Sequence, residues 1–203
     1  MVSHNFDKSL HREKTYQQRA DDFYTKRLSA TDIMRYNKDT EGDMKIQRCD
    51  IDVSFRINNK LINVSEKFRA KDFGDLYIEF YSKFPDIRGW LNKSQADYMA
   101  YFFPERVFMI NEKKLSEFYM SYLSQAVLAN DFSGLIEQNV QKNAQKKLWI
   151  KIQNHHYSAR IIQAYNETQD ASWYTMGIAI PFRVLSDFLI PFKEFGLNQF
   201  SFA

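Results

Sequence analysis

Several things are scarce in this chain. A single cysteine, Cys49, excludes an intramolecular disulfide and any thiolate metal cluster built by one copy, and it fits a reducing compartment. Only 6 Gly and 4 Pro occur in 203 residues, which points to long regular elements joined by short connections. No run of ~18 apolar residues is present, and the N-terminal MVSHNFDKSLHREKTYQQRADD has no apolar centre of the signal-peptide kind. The expectation is a soluble, cytoplasmic protein with no membrane partner. Charge of one sign is missing too: 28 Lys+Arg against 25 Asp+Glu leave a net +3, too weak a field to argue for nucleic acid by itself.

Aromatics, by contrast, are plentiful. With 18 Phe, 12 Tyr, a hydrophobic fraction of 44% and a charged fraction of 26%, the chain has the composition of an ordinary globular protein and suffices for one well-buried core. A single domain over 1–203 is expected.

Residues 5–28 read as a helix, with Phe6, Leu10, Ala20, Phe23, Tyr24 and Leu28 near the helical period. From 44 to 110 the texture changes to short β-branched and aromatic runs, MKIQRCDIDVSFRI, KLINVSEKF, DLYIEFY, YMAYFF and RVFMI, which predict consecutive strands. Turn chemistry separates them at Asn58-Asn59, Lys71 to Gly74 and Pro85 to Gly89. Asn111 is a candidate N-cap for a helix through Val127, and a second, more polar helix is expected over roughly 132–146. Strands at KLWIKI, YSARIIQAY and SWYTMGIAI follow, and Pro181 suits the first turn of a closing helix. This order predicts an α/β or α+β plan on a mixed central sheet flanked by helices, with the core at 43–110 and residues 111–203 completing it.

Strand alternation then sorts the polar residues. Asp50 and Asp52 fall on one face of DIDVSF, Ser65 and Lys67 on one face of NVSEKF with Glu66 opposite, and Asp75, Tyr77 and Glu79 on one face of DLYIEFY. Three successive strands thus offer Asp52, Lys67 and Glu79 to one side of one sheet. Two carboxylates and a lysine suit metal-dependent phosphodiester hydrolysis, because Mg²⁺ prefers carboxylate and water oxygens and a compact ammonium can face a phosphate. Taken singly, each residue is better explained as part of a solvated face or a salt bridge than as a catalytic group.

The segment 43–103 resembles the core of the PD-(D/E)XK nuclease superfamily. More narrowly, it is similar to bacterial and phage proteins with a Q-R-x-G-I-D-V strand, a D-E-K strand, an L-E strand and a later G-W…A-D-Y-x-x-Y segment. This chain has QRCDIDV (Gln47 to Val53), SEKFR (Ser65 to Arg69), YIEFY (Tyr77 to Tyr81) and GWLNKSQADYMAYF (Gly89 to Phe102) in that order. The resemblance implies a restriction-endonuclease-like fold, an Mg²⁺- or Mn²⁺-dependent endonuclease acting on DNA, and an assembly that can be a homodimer.

Two departures stand out. Asp50 replaces the glycine of the first motif, and Ser65 replaces the acid of the second. Some restriction endonucleases of the superfamily carry a comparable S-x-K, with a carboxylate supplied from elsewhere. By that analogy Asp52 and Glu79 hold the metal, Asp50 adds a further oxygen, Lys67 positions the attacking water, and Ser65 holds a metal-bound water or a phosphate oxygen. Restoring an acid at Ser65 is then expected to be tolerated or to alter the metal preference. The alternative is a catalytically inactive nuclease-fold protein that binds nucleic acid or another protein, such as an inhibitor or assembly factor of a mobile element.

Gln47, Arg48, Arg69 and Lys93 are candidate nucleic-acid contacts. Trp90, Tyr98 and Tyr101 can stack on bases in principle but suit core packing better. Lys142, Lys146, Lys147, Lys151, His155, His156 and Arg160 enrich the second half in positive charge, as a phosphate-tracking groove or as a solvated face.

Overall fold

The computed structural model describes residues 6–36, 40–127, 129–137, 143–168 and 170–197. In chain order the elements are α1 (Phe6–Leu28), β1 (Thr31–Arg35), α2 (Glu41–Arg48), β2 (Val53–Ile57), β3 (Lys60–Phe68), β4 (Asp75–Lys83), β5 (Ile87–Arg88), a 3₁₀ turn (Trp90–Asn92), β6 (Tyr98–Phe102) and β7 (Arg106–Asn111). Then come α3 (Glu112–Phe118), a π-helical turn (Tyr119–Leu123), α4 (Ser124–Ala126), α5 (Ala129–Glu137), β8 (Ala144–Ile152), β9 (His155–Glu167), β10 (Ser172–Pro181), α6 (Arg183–Asp187) and β11 (Phe192–Gly196). The protein is α+β, and its contacts divide it into two units.

The first unit comprises 1–71, 95–110 and 193–203, and its sheet runs β1-β2-β3-β6-β7-β11. The sheet is mixed: β2 is antiparallel to β3, and β3 is parallel to β6. Asn58 and Asn59 close the β2–β3 hairpin with φ of 49° and 64°, the pair of left-handed residues that a two-residue turn matched to strand twist requires. Tyr24 and Phe23 of α1 bury their rings against Phe55 (4.6 Å) and Phe102 (5.7 Å), so α1 covers one face of this sheet.

The second unit comprises 72–94 and 111–192, with an antiparallel sheet ordered β5-β4-β10-β9-β8. Leu76, Ile78, Ile161, Ile178 and Ile180 are buried on one of its faces, and on that side Phe80 meets Tyr119 at 5.2 Å and Phe132 at 5.4 Å. Asn111 caps α3 by accepting from the Lys114 amide at 2.9 Å, as its sequence position predicts.

Four expectations are corrected. The strands of 43–110 do not form one sheet, since β4 leaves β3 and pairs with β10 over Asp75–Tyr81. The apolar strand Met176–Ile180 offers β4 a long-range partner that sequence order does not reveal. Residues 44–48 are helical because Thr40 caps the Asp43 amide at 3.0 Å and acids lead the first turn, so the strand begins only at Val53. The helix expected over 132–146 lies at Ala129–Glu137, with 138–142 outside the described residues and β8 starting at Ala144. Pro181 ends β10, and the closing helix shrinks to Arg183–Asp187. Among the described residues no helix is long and apolar enough to cross a membrane.

Candidate functional site

The site forms where α2 stops and β2 begins. The Cys49 and Asp50 amides fold back onto the Ile46 and Gln47 carbonyls at 2.9 Å each, ending the helix, and Asp50 takes φ +55°. This is the left-handed region, where glycine is at ease and Asp is among the few tolerated alternatives. Asp50 thus places an acid at a backbone position that glycine would meet without strain.

The carboxylate so introduced is engaged at once. Ser65 Oγ donates to Asp50 Oδ2 at 2.7 Å, and Lys67 Nζ donates to both Asp50 oxygens at 3.1 Å. Ser65 is fully buried, and Lys67 and Asp50 are largely so. The carboxylate that Ser65 and Lys67 hold is therefore that of Asp50.

Asp52 lies beside this group. Its amide donates to the Val64 carbonyl at 2.9 Å, which docks it against β3, and its Oδ2 accepts from the Glu66 amide at 2.7 Å. Burial pushes its carboxyl up to about 6; Lys67 and the Glu66 amide oppose the shift, and the Asp50 charge adds to it.

Glu66 points the other way, as alternation on β3 requires. It accepts from Tyr24 Oη at 2.8 Å and from Arg35 Nη1 and Nη2 at 2.8 and 3.2 Å, while Arg35 Nε also reaches Asp21 at 3.0 and 3.2 Å. Burial and the Glu66 charge push the Tyr24 phenol well above its ordinary value. Burial opposes the Arg35 charge, but bonds to Glu66 and Asp21 outweigh it and raise that guanidinium further. The network ties α1 and β1 to β3 directly behind the site. Sequence reading missed it, although an acid between Val64 and Phe68 on an apolar face was itself the signal that a buried partner must exist. Tyr24→Phe is expected to lower the unfolding free energy by about 2 kcal/mol in urea titration, as a buried hydrogen bond to a charged group disappears.

Glu79 does not arrive by the expected route of adjacent strands, for β4 belongs to the second sheet. Ser82 Oγ donates to its Oε1, and its carbonyl oxygen lies where a Cβ on Gly89 would stand 1.9 Å away, so the glycine of the GW pair is a packing necessity. Trp90 and Tyr101 are buried and closed to base stacking, and Tyr98 packs partly buried against the first unit's core. Asp97 clamps β3 by accepting from the Asn63 amide and donating to its carbonyl, both at 2.8 Å. Gln47 Nε2 bonds the Tyr36 carbonyl and braces the chain ahead of the site. Arg48 and Lys93 are exposed, and Arg69 lines a small cleft with Tyr16, Arg19, Phe68, Phe102 and Phe103.

A hard divalent cation is the metal that this donor set would suit. No group of three or more His, Cys, Asp or Glu side chains suited to a metal occurs among the described residues, yet Mg²⁺ is commonly held by one or two carboxylates with water filling the rest. Asp50 and Asp52 would supply those two, and Asp52 has lone pairs beyond the one that Glu66 uses. Compared with known proteins, the chain matches no family model, no curated protein and no solved structure.

Proposed function

We propose that this protein is a metal-dependent nuclease that hydrolyses phosphodiester bonds in DNA, acting in the cytoplasm, with Asp50 rather than Glu79 as the second carboxylate of its site. The observation that carries this reading is the Asp50–Ser65–Lys67 group beside Asp52. An acid within hydrogen-bond reach of the serine and lysine of SEK supports retained chemistry although position 65 itself carries no acid.

A bound Mg²⁺ or Mn²⁺ supplies positive charge against the phosphate and activates water. The chain's own residues do the rest. The Glu66 amide fixes the orientation of Asp52, and Ser65 fixes that of Asp50. Lys67 presents a compact positive charge to the phosphate and the attacking water, and its hold on Asp50 keeps the ammonium in place before substrate arrives.

One observation favours a second reading, a nuclease-fold module that binds without cutting. Lys67 bonds both Asp50 oxygens, so the lysine already balances an acid that a metal would otherwise balance. Cleavage of a panel of single-stranded, double-stranded and branched DNA with Mg²⁺ and Mn²⁺ decides between them. Lys67→Ala is expected to cut about 10²-fold more slowly while still binding DNA. Glu79→Gln is expected to be milder than Asp50→Asn. Pure wild-type protein that cuts no member of the panel with either metal would establish the binding reading instead.

A further inference from the structure

The β8–β9 hairpin of the second unit carries a surface that its own fold does not use. Between Ala144 and Asn166 the sequence has no Asp or Glu, but it holds Lys146, Lys147, Lys151, Arg160 and two histidines. Alternation buries Ile150 and Ile152 of β8 and Tyr157, Ala159 and Ile161 of β9. The other face therefore presents Lys147, Trp149 and Lys151, opposite Arg160, Ser158 and His156 in register. Trp149 is 75% exposed, the largest apolar side chain left open to solvent on this sheet. Among the described residues the Lys147 and Lys151 ammoniums have no ion-pair partner, whereas Arg160 is tied to Asp75 and lies over the Phe73 ring at 5.4 Å.

We infer that this face binds single-stranded DNA, with a base stacked on Trp149 and the flanking phosphates on Lys147 and Lys151. An exposed indole has a π-face for any base, and base stacking on aromatics is tolerant of sequence. The two lysines stand two residues to either side of Trp149, about 13 Å apart by strand rise, so they bracket the indole along β8. The acid-free stretch 144–166 supplies the charge complementarity that phosphate needs. Bases inside a duplex are stacked on their neighbours and cannot cover the indole, which sets the preference for single strands. The surface lies wholly on the second unit, so its role is independent of Asp50, Asp52 and Lys67.

The test uses the full chain in EDTA, carrying Asp52→Asn so that nothing is cut, and an oligothymidylate of about 16 nucleotides, the upper end of single-fold site sizes. Binding is expected to quench tryptophan fluorescence. Trp149→Ala should weaken binding by about 10-fold or more, and Trp149→Phe should recover part of the loss. Lys147→Glu with Lys151→Glu should weaken binding further and flatten its salt dependence by about one unit of log–log slope. A duplex of the same length should bind more weakly, and Trp149→Ala should leave duplex binding unchanged. Equal single-strand affinity of wild type and Trp149→Ala, both melting at the same temperature, overturns the inference. So does a Trp149 response to anionic vesicles with none to the oligonucleotide, which would make the face a membrane-surface site. Loss of cleavage alone, with this binding intact, would count against the nuclease reading and not against this one.

Discussion

Asp50→Gly is expected to lower metal-dependent cleavage by about 10³-fold, Ser65→Asp to do the same while destabilising the fold, and the double variant D50G/S65D to recover most of both losses. The single glycine variant keeps the backbone, since φ +55° suits glycine, and removes only the carboxylate that Ser65 and Lys67 hold. The single acid variant fails for the opposite reason. Ser65 is fully buried and its Oγ lies 2.7 Å from Asp50, so a carboxylate there meets another carboxylate that Lys67 already balances. Two acids so close cannot both ionise, and the crowding is expected to lower stability by about 3 kcal/mol. The motif alone leads to a different expectation, that an acid at 65 is tolerated or alters the metal preference. In the double variant one carboxylate serves Lys67 again, now from β3. Cleavage rates and urea midpoints of the four proteins give the coupling directly. A double variant no better than the worse single variant would show that Asp50 does not stand in for the missing acid.

What was legible in the sequence was local. The Asn58-Asn59 turn, and the split of Ser65 and Lys67 from Glu66, follow from two-residue turn chemistry and strand alternation, and the structure has both. The place of β4 was not legible, because pairing of Asp75–Tyr81 with residues about a hundred positions later depends on which long-range partner buries Leu76, Ile78 and Phe80 best. Strand alternation and the superfamily resemblance both point to Glu79, but its strand pairs in the second sheet and not beside β3. Alternation predicts Asp50 on a strand face beside Asp52, whereas it lies in the left-handed turn that ends α2. The departure from the glycine pattern was the usable signal, since a residue that replaces a turn glycine with a charged side chain must send that charge somewhere.

Asp52→Asn is expected to make the protein inactive and, at pH 8, more stable than the wild type. The Asp52 carboxyl sits at about 6 against an ordinary 3.8, chiefly through burial, so the folded state holds its proton more tightly than the unfolded chain does. Ionised Asp52 therefore opposes folding. The penalty is absent below the ordinary value, grows as pH rises from about 4 to about 6, and is full above that. At about 1.4 kcal/mol per unit the two-unit shift amounts to about 3 kcal/mol. Asparagine keeps the acceptor for the Glu66 amide and carries no charge, so it removes the penalty without losing that bond. Urea titrations should show Asp52→Asn ahead of wild type by up to about 3 kcal/mol at pH 8, with the gap closing as the pH falls through 6 towards 4. Millimolar Mg²⁺ at pH 8 should raise the stability of the wild type and leave that of Asp52→Asn unchanged, because a cation beside Asp52 and Asp50 relieves the same charge that the substitution deletes. A gap that stays constant between pH 4 and pH 8 would mean that the buried charge of Asp52 is not what the fold resists, and an equal response of both proteins to Mg²⁺ would place the cation elsewhere.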